Sequence, residues 1–265
     1  MNKEFRRHIL AGLGALVGVF CTTHTGAQAP ATPKPAVVNP AQDPTKPVPG
    51  GVRWFMPSHG RNMARTANKD PIDLCFFGDS VTQLWEGDLF NKYYGKYHAV
   101  NFGVGGDKIQ HLLWRVEGGE LKGHSPKVIV LLIGTNNLGF NPVNEVVMGV
   151  TNMVRNLQGK FPATKILLLG IFPKNEPPLP ADVPPPAKAD TINAKRVAVN
   201  AELAKLDDKK MVRFLDLSPK FLDEDGKILG NVLKDGVHPT RHGFEIWAEA
   251  MDPLLTEMMG AKAAE

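Results

Sequence analysis

Cysteine is scarce in this chain: its 265 residues include two, Cys21 and Cys75. Cys21 falls in a leader-like N-terminal stretch. Its removal leaves Cys75 alone, which excludes an intrachain disulfide in the mature chain even in an oxidising compartment. Cys75 lies in an apolar strand pattern and reads as a small core residue. Metal-ligand spacing is absent too. There is no His-Glu-x-x-His motif, and His59, His98, His124 and His242 lack an acidic neighbour at useful spacing, so neither metal nor cofactor is expected. No excess of one charge exists either. With 31 Lys+Arg against 27 Asp+Glu and a formal net charge of +4, the chain offers no argument for nucleic acid. Internal repeats are missing, and no apolar run reaches the roughly 20 residues that span a bilayer.

The longest apolar run near the start, residues 9–20, follows Lys3, Arg6 and Arg7 and precedes small residues around Ala27-Gln28-Ala29. That order is an export signal, assigned to residues 1–29, with Arg6-Arg7 leaving a twin-arginine route open. Residues 30–50 are rich in proline and alanine and too poor in large apolar side chains to bury anything, so they read as a linker. Residues 51–260 are enough for one domain with a full core. The expectation is a periplasmic or secreted protein with no membrane anchor after signal cleavage.

Short apolar runs recur at 72–77, 99–102, 128–133, 166–171 and 212–217, each bounded by glycine, proline or asparagine. Unbroken apolarity, rather than alternation, marks strands covered on both faces. Helical spacing fills the gaps: Ile109, Leu112, Leu113 and Val116, then residues 143–157, 192–206 and 244–258. Alternating strands and helices predict an α/β fold with a parallel sheet between two helical layers.

Polar motifs follow the apolar runs. Phe77-Gly78-Asp79-Ser80-Val81-Thr82 closes the first strand, Gly103-Val104-Gly105-Gly106-Asp107 the second, and Gly134-Thr135-Asn136-Asn137 the third. Open parallel sheets bind ligands at these carboxyl ends. Asp235-Gly236-Val237-His238 precedes the last helix. A serine hydroxyl is a weak nucleophile and needs a base held in the correct tautomer, so Ser80, His238 and Asp235 form a candidate catalytic set. Backbone donors at Ser80 and Gly106 and the Asn136 amide are candidates for the oxyanion hole. Gln83, Trp85 and Asp79 are candidates for the substrate pocket, although core packing suits Trp85 equally and Asp79 suits a backbone acceptor in the nucleophile turn. Helix capping accounts for Asp107, and packing for His111 and Trp114.

These blocks, in this order, resemble the SGNH hydrolases, also called GDSL esterases and lipases. The stretch from Asn101 to Asp107, then His111-Leu112-Leu113-Trp114-Arg115 and Gly119-Glu120-Leu121, is most similar to the branch of platelet-activating factor acetylhydrolase catalytic subunits and their secreted bacterial relatives. The resemblance implies a three-layer α/β/α sandwich with a flavodoxin-like five-stranded parallel sheet. It places the nucleophile at Ser80, the oxyanion donors at Ser80, Gly106 and Asn136, and the acid and base at Asp235 and His238. The Gly-x-Ser-x-Gly elbow of the common α/β-hydrolases is absent.

The expected function is hydrolysis of short, acetyl-type esters on a small molecule or polysaccharide. A lipid-directed acetylhydrolase or short-chain lipase, or a non-catalytic carbohydrate-binding module, are the alternatives. The proline-rich segment 173–190 leaves the fourth strand where it could wall the substrate cleft.

Overall fold

The computed structural model describes residues 42–176 and 191–260. The signal assigned to 1–29, linker residues 30–41 and loop residues 177–190 lie outside the described residues.

Five parallel strands run in the order β2-β1-β3-β4-β5: β1 (Leu74–Gly78), β2 (Ala99–Asn101), β3 (Val128–Leu132), β4 (Lys165–Leu169) and β5 (Val212–Leu215). Leu74 pairs with Ala99 on one side and Val128 on the other. The expected flavodoxin-like sheet is therefore present, and its order reverses at β1, beside the loop that carries Ser80. Alternate residues of each strand serve opposite layers. Cys75, Phe77, Ile129, Leu131, Ile166 and Leu168 pack with α4 (Ile109–Glu117), α5 (Val143–Lys160) and α6 (Ile192–Leu203). Leu74, Phe76, Val130 and Leu167 face α3 (Gly87–Tyr94) and α7 (Arg241–Met259). Burial on both faces is why the strand sequences do not alternate, and each buried large side chain contributes about 1.5–3 kcal/mol.

The α3 helix and two others carry no sequence-level expectation. One, α2 (Ser80–Gln83), is a single turn built on the nucleophile loop. The third, α1 (Phe55–Ala67), buries Phe55, Ser58, Asn62 and Thr66. That stripe has helical spacing but is mostly polar, so an apolar periodicity does not detect it. It docks by hydrogen bonds: Asn62 Nδ2 donates to the Phe102 carbonyl at 3.3 Å, and Leu121 N–H to Thr66 Oγ1 at 2.9 Å.

Residues 42–50, assigned above to the linker, belong to the domain instead. Pro44 is buried against Gly149 of α5, where a Cβ would come within 2.7 Å of the proline ring. Asn141 donates to the Gln42 carbonyl and Val48 N–H to that of Gln110, at 2.9 and 3.2 Å. Backbone hydrogen bonds, rather than large apolar side chains, hold this segment down, which composition does not reveal.

Candidate active site

The end of β1 leads into a tight turn because Gly78 has no side chain: a Cβ there would meet the Leu132 carbonyl at 2.5 Å. Asp79 caps α2, its Oδ1 accepting the Val81 N–H at 2.9 Å. Ser80 therefore opens the helix, where its own N–H has no intrahelical acceptor. On the opposite wall, the chain at 231–240 doubles back on itself, with Lys234 N–H donating to the His238 carbonyl and Thr240 N–H to that of Val232. Gly236 sits at φ +77, a conformation that costs glycine little.

Asp235 organises this turn. Its Oδ1 accepts the N–H groups of Val237 and His238 at 3.1 and 2.8 Å, and its Oδ2 lies 2.7 Å from His238 Nδ1. Burial alone would push the Asp235 carboxyl up. The hydrogen bonds from His238 and Val237 outweigh it and hold the carboxyl down at about 2. An ionised Asp235 accepts from Nδ1–H, which leaves Nε2 as the acceptor for Ser80. Ser80 Oγ stands 2.8 Å from that nitrogen. The three residues thus form one continuous hydrogen-bonded chain, geometrically competent for proton removal from a serine.

Gly106 shares a cavity of about 420 Å³ with Ser80 and His238. Its φ is +79. The preceding residue is gripped on both sides: Gly105 N–H donates to Gln83 Oε1 at 2.9 Å, and the Gly105 carbonyl accepts from Trp54 Nε1 at 2.7 Å. In a trans peptide the C=O and the following N–H point opposite ways, so the Trp54 bond fixes the direction of the Gly106 N–H. No acceptor among the described residues takes that N–H. Asn136 Nδ2 donates to the Asp107 carbonyl at 2.8 Å, which spends one amide hydrogen and leaves the other.

A buried ion network underlies these loops. Arg115, fully buried, contacts Asp107 Oδ2 through Nε and Nη2 at 2.8 and 2.7 Å, and pairs with Glu120 through Nη1. Its Nη1 also reaches the Phe102 carbonyl at 3.2 Å. Glu120 in turn holds His59 Nδ1 at 2.7 Å. Burial pushes the Asp107 carboxyl up, and Arg115 opposes that rise.

A scan of known families matches residues 76–246 to the GDSL-like lipase/acylhydrolase model. The chain belongs to that family. It is 33% identical over 225 residues to "Platelet-activating factor acetylhydrolase IB subunit alpha1" of Homo sapiens, covering 83% of this chain and 91% of the relative. Among solved structures it is similar to a GDSL-like lipase from Bacteroides thetaiotaomicron, with a TM-score of 0.61 at 19% identity over 75% of this chain and 97% of that one. It is also similar to a carbohydrate esterase family 3 protein from Talaromyces cellulolyticus, with a TM-score of 0.53 at 16% identity over 72% and 100%. Both structural likenesses bear on the fold. The chain is accordingly an ester-cleaving GDSL acylhydrolase with the SGNH fold.

Several sequence expectations need correcting within this GDSL site. Gln83 lines the Ser80 cavity, whereas Trp85 and Asp79 do not. Trp85 packs 4.5 Å from the Phe244 ring and 5.1 Å from Trp247, and Asp79 is fully buried beneath the turn. Asp107 does not cap α4, a position held by Lys108; it pairs with Arg115. Three of the histidines have acidic neighbours after all: His59 with Glu120, His98 with Asp73 at 2.7 Å, and His242 with Glu245 at 3.9 Å. Trp54, Ser58 and Arg61, all on the cavity wall, were missed because the start of α1 was.

Buried Asp79 yields a pH prediction. Burial raises its carboxyl to about 6, with the Val81 N–H, His238 and Lys174 opposing. The folded chain then keeps a proton that the unfolded chain loses near pH ~4, so stability falls as pH rises through that window and is level above about 6. Asp79→Asn retains an acceptor for Val81 and does not titrate. Its unfolding free energy relative to the parent, from urea titration, is expected to shift in its favour by roughly 2 kcal/mol between pH 4 and pH 7. A difference that stays constant with pH would disprove the assignment.

Proposed function

We propose that this GDSL acylhydrolase is an exported serine esterase that removes short acyl groups, acetyl above all, from carbohydrate. The observation that carries the mechanism is the chain from Asp235 Oδ2 to His238 Nδ1 and from His238 Nε2 to Ser80 Oγ, at 2.7 and 2.8 Å. His238 takes the Ser80 proton as Oγ attacks the ester carbonyl. The oxyanion forms against the N–H groups of Ser80 and Gly106 and the free hydrogen of Asn136. His238 then protonates the departing alcohol, and water, activated by the same nitrogen, releases the acyl group.

Short acyl groups are favoured by the relatives named as acetylhydrolase subunits. Beside the reacting residues the cavity presents Ser58, Arg61 and Gln83, while most of its surface is apolar and includes the half-exposed Trp54 and Leu84. Export rests on the leader at residues 1–29 and its basic, apolar and small-residue order. The relatives named as platelet-activating factor acetylhydrolase subunits favour a second reading, removal of acetyl from a lipid.

A substrate panel separates the two. Acetylated xylo-oligosaccharides and nitrophenyl acetate are expected to be turned over with higher kcat/KM than nitrophenyl esters of octanoate and decanoate. A preference for chains above about eight carbons would sink the carbohydrate reading.

A further inference from the structure

A second cavity, of about 370 Å³, adjoins the one that holds Ser80. Ser58, Arg61 and Gln83 line both, so the two meet at these side chains. The second one holds two arginines, Arg61 and Arg65, one helical turn apart on α1. Neither forms an ion pair among the described residues, although Arg115, Arg213 and Arg241 all do. Arg61 donates through Nη2 to Ser58 Oγ at 2.8 Å. Arg65 donates through Nη1 to Asn62 Oδ1 at 3.0 Å and to the Asn101 carbonyl at 2.8 Å. Each guanidinium has five N–H donors, so most remain unspent. Like charges four residues apart on a helix repel, and a bound anion would turn that repulsion into attraction. Arginine's planar fork matches carboxylate and phosphate oxygens better than a neutral hydroxyl.

We propose that this second cavity is an anion subsite, through which Arg61 and Arg65 recognise a carboxylate or phosphate on the alcohol portion of the ester while its acyl carbonyl lies at Ser80. The inference rests on the carbohydrate reading above and narrows it, to acetylated sugars that carry a negative charge. Ser58 and Arg61, shared by both cavities, set the anion subsite beside the cavity of the reacting ester. Polar neighbours such as Asn91 and Asn101 suit a sugar better than a lipid chain.

The test compares three acetyl esters: methyl glucoside acetate, the corresponding methyl glucuronoside acetate, and the glucoside 6-phosphate acetate. The charged esters are expected to exceed the neutral one in kcat/KM by about tenfold, mostly through KM, and to lose that advantage in added salt. In Arg61→Gln/Arg65→Gln the ratio of charged to neutral is expected to fall to about one, whereas Arg61→Lys keeps part of it because the charge is retained. The carboxylate and phosphate arms show which anion the site takes. Equal turnover of neutral and charged sugar acetates by the parent, or an unchanged ratio in the double variant, would overturn the subsite and leave the carbohydrate reading intact. Hydrolysis of nitrophenyl decanoate with no turnover of any sugar acetate would overturn the carbohydrate reading itself and, with it, this subsite's substrate class.

Discussion

Ser80→Ala is expected to lower kcat on the best acetyl ester by at least ~10⁴-fold while leaving thermal stability within about 1 °C of the parent. The two halves of that result come from the same contacts. Ser80 Oγ has His238 Nε2 as its partner, at 2.8 Å. The turn itself is held by Asp79, which caps α2, and by the absence of a side chain at Gly78. Removing the hydroxyl thus removes the nucleophile without removing any support of the turn. Residual hydrolysis would come from the oxyanion donors and from binding alone, so a second change, His238→Ala, should add little to the loss. Steady-state rates on matched, folded samples check both statements.

Arg115→Met is expected to destabilise the domain by about 3–5 kcal/mol, because it leaves Asp107 and Glu120 buried without their cation. For a domain of this size that lowers the melting temperature by about 10 °C. The guanidinium bridges the end of β2, through the Phe102 carbonyl, to the loop that carries Gly106, through Asp107. Losing it therefore loosens the Gly106 loop as well as the core. A variant that also replaces Asp107 and Glu120 with apolar residues of similar volume should regain most of the lost stability, since buried charges cost most when unpaired. A melting temperature that does not move in the single variant would show that the network is not what holds these loops.

The sheet was legible because its central strands β1, β3 and β4 are covered on both faces, which writes them as nearly unbroken apolar runs, while the half-buried edge strands β2 and β5 admit Asn101 and Arg213. The meeting of Ser80, Gly106, Asp235 and His238 at one place was legible for a related reason. Strand ends are marked by glycine, and an acid three residues before a histidine can fold back on it locally, as Asp235 does. What the residues could not disclose depends on distant partners. His59 and Glu120 are 61 residues apart and meet only because α1 crosses the end of β2. Asp107 reads as a cap until Arg115 is seen to return about two turns later in the helix that follows it. The α1 helix hides because it buries Ser58, Asn62 and Thr66, and with it went Arg61 and the Trp54 that orients Gly105. Trp85 follows the nucleophile closely in sequence, yet its ring points into the aromatic layer with Phe244 and Trp247 rather than toward Ser80.

The central claim is that Ser80 is the activated nucleophile of this acylhydrolase. Its most direct test is to expose the folded chain to diethyl nitrophenyl phosphate and map the adduct by mass spectrometry. One diethylphosphoryl group on the peptide that contains Ser80, acquired in step with loss of esterase activity and absent from Ser80→Ala and His238→Ala, is the predicted result. Loss of activity with the adduct on another residue, or equal labelling of Ser80→Ala, would contradict it.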